Sequence, residues 1–169
     1  SALQNVFNRV GMEIIDVLRT PVHGGCMRYF IAHIGEYEVS DAAKAGFERE
    51  HAMGLNTQEA FQRFRCDCEE SRETLVNLLV DLNQRGRRVV GYGTPAKSTV
   101  ITNYCGISSD HLEYISDSTP IKQGKLSPGR HIPIEPPETF RADYPNYAPL
   151  FAWNHETEIF AKETAFVDA

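Results

Sequence analysis

Residues 87–117, RRVVGYGTPAKSTVITNYCGISSDHLEYISD, constrain the fold more than any other part of the chain. A short apolar run ends in the turn Gly91-Tyr92-Gly93, residues from Pro95 to Tyr104 read as a helix, and LEYISD is a second apolar run. Strand, helix and strand in that order make a β-α-β unit, expected to be parallel and right-handed. Thr94 can cap the helix, and Pro95 is preorganised for its first position. Free N–H groups and the positive end of the helix dipole would hold an anion there, with Lys97 adding a formal charge in the first turn. A tight turn also needs small residues for geometry alone, so Gly91 and Gly93 fit either role.

The flanking segments extend this α/β pattern. Residues 2–10 read as helical, MEIIDVL and MRYFIAHI as strands, and RTPVHGGC between them as a turn holding His23. Ser40-Asp41 starts a helix that ends near Gly54, and a longer helix runs from about Thr57 to Gly86. In the longer one Phe61, Phe64, Cys68, Leu75, Leu78, Leu79 and Leu82 form one stripe, which predicts a core-facing surface. The segment STPIKQGKLSPGRHIPIEPPE holds five prolines, which exclude a long regular element. NYAPLFAW is a last strand candidate and HETEIFAKETAF a closing helix. At 169 residues, 41% hydrophobic and 24% charged, the chain has the composition of an ordinary soluble core. The predicted class is α/β: a Rossmann-like three-layer domain with a mostly parallel sheet, long amphipathic helices and a Pro/Gly-rich loop.

Charge and cysteines narrow the chemistry. The formal net charge is −6, yet residues 85–131 carry seven Lys or Arg against three acids. One local basic region in an acidic protein suits a small anionic ligand better than nucleic acid, which demands a broad basic face; scattered surface cations are the alternative for Arg85, Arg87 and Arg88. Cys66 and Cys68, two residues apart on a helix, fall on opposite faces, and Cys26 and Cys105 are isolated, so no metal site is expected. The sequence shows neither a membrane span nor a signal peptide, which predicts a cytoplasmic protein. The opening SALQNVFNRVG reads as the middle of a helix, as in a piece of something longer.

A dinucleotide fold is one family reading, since Gly91-x-Gly93-x-x-Ala96 fits the glycine fingerprint and Asp117 ends the next strand where a ribose-binding acid belongs. Four separated motifs favour another. PVHGGCMRYF, VVGYGTPAKSTVITNYCGI, YISDSTPIKQGKLSPGRHIPI and APLFAWNHETEI, in this order and spacing, resemble the C-terminal domain of S-adenosylmethionine-dependent C-methyltransferases that act on nucleotide-linked sugars. The resemblance runs from about Leu3 to Ala161.

It implies a preceding methyltransferase domain in the same polypeptide, where S-adenosylmethionine binds, and zinc in a further N-terminal domain. This chain would bind neither and would be inactive alone. Residues 1–35 would be the helix-strand-strand transition from the methyltransferase region, and 36–169 the C-terminal Rossmann-like domain. Arg19 to Cys26 would lie near the active cleft, with His23 of the His-Gly-Gly motif as the catalytic proton-transfer residue. The partner would be a nucleotide-diphosphate sugar, not nucleic acid or a membrane. Gly91, Gly93 and Lys97 of the turn, Asn103 and Tyr104 at the end of its helix, and Lys122, Arg130 and His131 on the following loop would be its binding residues, with Lys125 on the same loop. A non-catalytic structural or dimerising domain is the third alternative.

Overall fold

The computed structural model describes residues 2–168, apart from the side chain of His23. It is a mixed α/β fold in two compact units, Ser1–Asp67 and Cys68–Ala169.

The first unit holds helix α1 (Ala2–Asn8), strands β1 (Met12–Thr20) and β2 (Cys26–His33), and helix α2 (Asp41–Ala52). The two strands pair antiparallel from Met12↔His33 to Thr20↔Cys26, with a bulge at Ile15. That bulge is where α2 is tied down. The Ser40 N–H donates to the Ile15 carbonyl at 2.8 Å, and the Ser40 hydroxyl donates to Asp16 at 2.5 Å while accepting the Ala43 N–H at 3.1 Å. One serine thus caps the helix and fixes it to the hairpin.

Helix α3 (Gln58–Gln84) contains the boundary between the units. Its stripe is buried only towards the C-terminal end: Leu79 and Leu82 join Val89, Ile107, Leu112, Ile115, Ile132 and Phe151 in the main core, with Leu75 packed against it. Phe61 and Phe64 are 65% and 68% exposed, and Leu78 is exposed too. The periodicity that predicts one continuous core face is real, but the core residues of the second unit meet only the last turns.

The second unit is built on a small parallel sheet of β3 (Gly91–Tyr92), β4 (Ile115–Ser116) and β5 (Ile134–Glu135), in the order β3-β4-β5. Helix α4 (Ala96–Cys105) links β3 to β4, completing the predicted β-α-β unit. β5 lies inside the Pro-rich segment and was invisible to periodicity because it is two residues long. Helix α5 (Pro137–Ala142) follows it, opened by Pro137 at a position that needs no N–H. The expected last strand is reduced to two parallel bridges beside β3, Val89↔Tyr147 and Tyr92↔Leu150. Pro149 sits between them; its carbonyl accepts the Tyr92 N–H at 2.9 Å, but it has no N–H to return to a ladder. The closing helix is broken at Glu163 into α6 (Glu156–Lys162) and α7 (Thr164–Val167).

Gly91 is required by this packing. A Cβ there would come within 2.8 Å of the Phe151 ring and 3.0 Å of Ile115. Gly91→Ala is expected to cost about 1–2 kcal/mol, read from the denaturation midpoint, because two core side chains must move to admit one methyl.

Candidate functional site

β4 and β5 add on one side of β3, while Tyr147 and Leu150 bridge to its other side, so strand order reverses at β3. Open parallel sheets bind ligands beyond the carboxyl ends of strands at such a reversal. Here those ends are the β3–α4 turn and the segment after Leu150. They approach closely: Gly93 has φ +82°, and a Cβ on it would lie 2.8 Å from that of Ala152. The left-handed backbone and the contact both exclude a side chain.

Lys97 spans the gap between the two segments. Its ammonium donates to Asn154 Oδ1 at 3.1 Å and lies 4.3 Å from the centre of the Trp153 ring. Neither partner carries a negative charge, so the cation keeps its capacity for an anion. Trp153 and Asn154 were absent from the expected site because they lie more than fifty residues from the turn; the signal that could have found them is the chain's single tryptophan in the APLFAWNHETEI motif.

The turn also holds a buried carboxylate. Asp117, at the end of β4, accepts the Thr94 N–H at 2.6 Å, the Thr94 hydroxyl, the Thr119 N–H at 2.8 Å and the Lys122 ammonium at 3.3 Å. Lys122 also donates to the Thr94 carbonyl at 2.9 Å. Burial works against the charge of Asp117, but the hydrogen bonds from Thr94 and Thr119 prevail and hold its pKa at about 2. Thr94 therefore braces the turn through Asp117, and Pro95 precedes the first helical residue without a side-chain cap. Asp117, which the dinucleotide reading assigns to a ribose hydroxyl, is thus engaged mainly within its own turn.

The remaining expected residues gather at the other end of α4. Lys97 and Asn103 are six residues apart on that helix, about 9 Å along its axis. Asn103 Nδ2 donates to the Thr99 and Pro128 carbonyls, at 2.8 and 3.0 Å, and Arg130 Nη2 donates to the Asn103 carbonyl at 3.3 Å. A Cβ on Gly129 would collide with Asn103 Oδ1. The loop bearing Lys125, Arg130 and His131 is thus fastened along α4 by Lys122 at one end and Asn103 at the other. His131 takes a positive φ of 53° beside it, and the Tyr104 ring lies 5.6 Å from the Arg72 guanidinium carbon. Lys122 meets the β3–α4 turn that holds Gly93, while Gly91 is packed against the core and Lys97 faces Trp153 and Asn154; Asn103 and Arg130 meet at the far end of α4, next in sequence to Tyr104 and His131.

In the first unit, His23 lies in a single 3-10 turn, Val22–Gly24, at the tip of the β1–β2 hairpin. Gly24 and Gly25 have φ of +85° and +127°, and the Gly25 N–H returns to the Val22 carbonyl at 3.0 Å. Arg19, Thr20, Pro21, Gly24 and Gly25 line an open cavity of ≈ 550 Å³ there. The imidazole itself lies outside what the structure describes.

Comparison with known proteins identifies the family. Residues 21–169 match the domain described as C-methyltransferase C-terminal domain. The chain belongs to that family. It is also 32% identical over 168 residues to the C-methyltransferase NovU of Streptomyces niveus, an alignment covering 99% of this chain and 40% of that protein. The chain therefore spans about two fifths of the length of that relative.

This member of the C-methyltransferase C-terminal domain family brings no three His, Cys, Asp or Glu together in a metal-binding group among the described residues. No helix among them is long and apolar enough to cross a membrane. A further polar cluster, which the sequence did not signal, secures the carboxyl segment: Glu163, between α6 and α7, accepts the Tyr92 hydroxyl at 2.8 Å and Arg141 at 2.7 and 3.1 Å. Tyr92 is the central residue of the Gly-Tyr-Gly turn, so this cluster ties β3 to the carboxyl segment.

Proposed function

We propose that this chain is the substrate-binding C-terminal part of an S-adenosylmethionine-dependent C-methyltransferase acting on a nucleotide-linked sugar, in a cytoplasmic enzyme whose preceding domains hold the cofactor and zinc. Under this reading residues 36–169 are the Rossmann-like domain, residues 1–35 pass from the methyltransferase region, and the chain alone is inactive. The observation that carries the reading is Lys97, held by a neutral amide and an indole at the carboxyl edge of the parallel sheet where strand order reverses. A diphosphate there gains a charge-assisted hydrogen bond from Lys97, while Lys122, its charge matched by Asp117, keeps the turn in shape. Family membership supplies the reaction class.

Methylation at a sugar carbon needs a proton removed beside a carbonyl, and His23 is the residue we assign to it, because imidazole titrates near neutrality. Its hairpin tip, with two glycines in conformations open to close backbone approach, leaves room for substrate beside it. S-adenosylmethionine, bound elsewhere in the longer protein, supplies the methyl group. In the full-length enzyme, Lys97→Ala should raise KM for the sugar nucleotide about tenfold or more with a smaller effect on kcat. His23→Ala and His23→Asn should lower kcat about a hundredfold or more with an unchanged melt. Wild-type constants in the Lys97 variant would make the turn a scaffold, and near-normal turnover in both His23 variants would remove that residue from the mechanism.

A further inference from the structure

Trp153 is 46% exposed, although its neighbours in sequence, Phe151 and Ala152, turn into the core or against Gly93. It opens the 3-10 turn Trp153–His155 directly at the carboxyl edge of the sheet, on the segment that bridges to β3 from the side opposite β4. The Lys97 ammonium lies over the ring, and Asn154, the next residue, accepts from the same ammonium. A flat apolar surface, a cation and a side-chain amide are therefore fixed within one contact of each other. They come from the first turn of α4 and the 3-10 turn after Leu150, which meet because the strand order reverses at β3.

We infer that Trp153 is the stacking platform for the base of a nucleoside diphosphate whose phosphates are taken by Lys97, with Asn154 orienting the lysine. This rests on the diphosphate reading of the turn and adds the part of the ligand that reading leaves without a partner. The chemistry is complementary group by group. A base presents a π-face to the indole, and aromatic stacking of this kind tolerates any base. Phosphate competes for Lys97 more strongly than the neutral carbonyl of Asn154 or the ring quadrupole can, since its hydrogen bonds are between full charges. Asn154 aims the ammonium before the ligand arrives, which makes it a positioning residue.

Trp153 is the chain's single tryptophan, so its emission reports this cluster alone. The test titrates the 169-residue chain with thymidine diphosphate, and separately with thymidine and with inorganic pyrophosphate, following emission and calorimetric heat in parallel. Thymidine diphosphate should change the emission saturably. Trp153→Ala, followed by heat, should weaken thymidine diphosphate about tenfold or more and leave pyrophosphate unaffected, while Trp153→Phe restores most of the affinity. Lys97→Ala should weaken thymidine diphosphate and pyrophosphate by about tenfold and spare thymidine. Asn154→Ala should weaken the two phosphate ligands to a smaller degree. Circular dichroism melts of each variant separate lost binding from lost fold. Calorimetric binding that depends on Lys97 but leaves emission and the Trp153→Ala affinity unchanged would overturn the stacking role and leave the diphosphate site standing. No saturable heat with thymidine diphosphate or pyrophosphate would overturn both.

Discussion

Glu163→Ala should destabilise the protein by about 2–4 kcal/mol, a fall of roughly 5–12 °C in Tm for a chain of this length. The carboxylate is 2% exposed and holds three donors from two other parts of the second unit. Burial opposes its charge, but the bonds from Arg141 and Tyr92 overcome that and lower its pKa. Burial, reinforced by the carboxylate, pushes the Tyr92 hydroxyl well up. Truncation leaves this hydroxyl without its acceptor beside Phe140, whose ring packs edge-on against Tyr92 at 5.2 Å. It also enlarges a cavity of ≈ 190 Å³ lined by Phe140, Leu150, Ile159, Phe160 and Phe166. Arg141 is 45% exposed and can turn to water, which keeps the loss below that of a fully enclosed pair. Glu163→Gln, which retains the shape and an acceptor for Tyr92, should lose about half as much. Urea and thermal unfolding measure both; a Tm for the alanine variant within about a degree of wild type would show that the cluster does not secure the carboxyl segment.

Acid should remove a second contribution of similar size. The pKa of Asp117 is about 2 in the fold against 3.8 for the ordinary side chain, so the folded state binds this proton less readily than the unfolded chain. The stability it confers is present above the unfolded value and disappears as the pH falls through the folded one, across about pH 5 to pH 2. The gap corresponds to about 2 kcal/mol at neutral pH. The lowered pKa of Glu163 acts in the same direction. Asp117→Asn should therefore lose about 2 kcal/mol near pH 7 and about half as much near pH 3, so that the two unfolding free energies converge with acid. Urea titrations at both pH values decide it: a deficit independent of pH would assign the loss to altered hydrogen-bond shape. Because Asp117 braces Thr94 and Lys122, the same variant should also loosen the β3–α4 turn.

Local chemistry made much of the scaffold legible. The two hairpin strands, α2 with its Ser40 cap, the long α3 and the strand-turn-helix at Gly91 follow from patterns contained within a few residues. The resemblance carried by four short motifs led to the right family, because those motifs keep their order and spacing along the chain. The N-terminal half of the α3 stripe shows the limit of such reasoning. Phe61 and Phe64 continue the apolar period of Leu79 and Leu82, yet periodicity states only which residues share a face, and whether that face meets a core depends on other elements.

The sequence by itself determined the helices, the hairpin, the glycine turn and the presence of a cation in its first helical turn, since each depends on residues close along the chain. Tertiary structure decided which distant groups that cation meets and what each acid does. Asp117, placed by sequence where a ribose acid belongs, is held by Thr94 and Lys122; Glu163, one more charge in a predicted helix, becomes a buried acceptor for Tyr92 and Arg141 at the point where that helix is interrupted. Trp153 and Asn154 reach Lys97 only because the chain returns beside β3 on the side opposite β4. Strand order is set by which long-range pairings bury the most apolar surface and satisfy the most backbone groups together, a property of the whole packed unit that no local window contains.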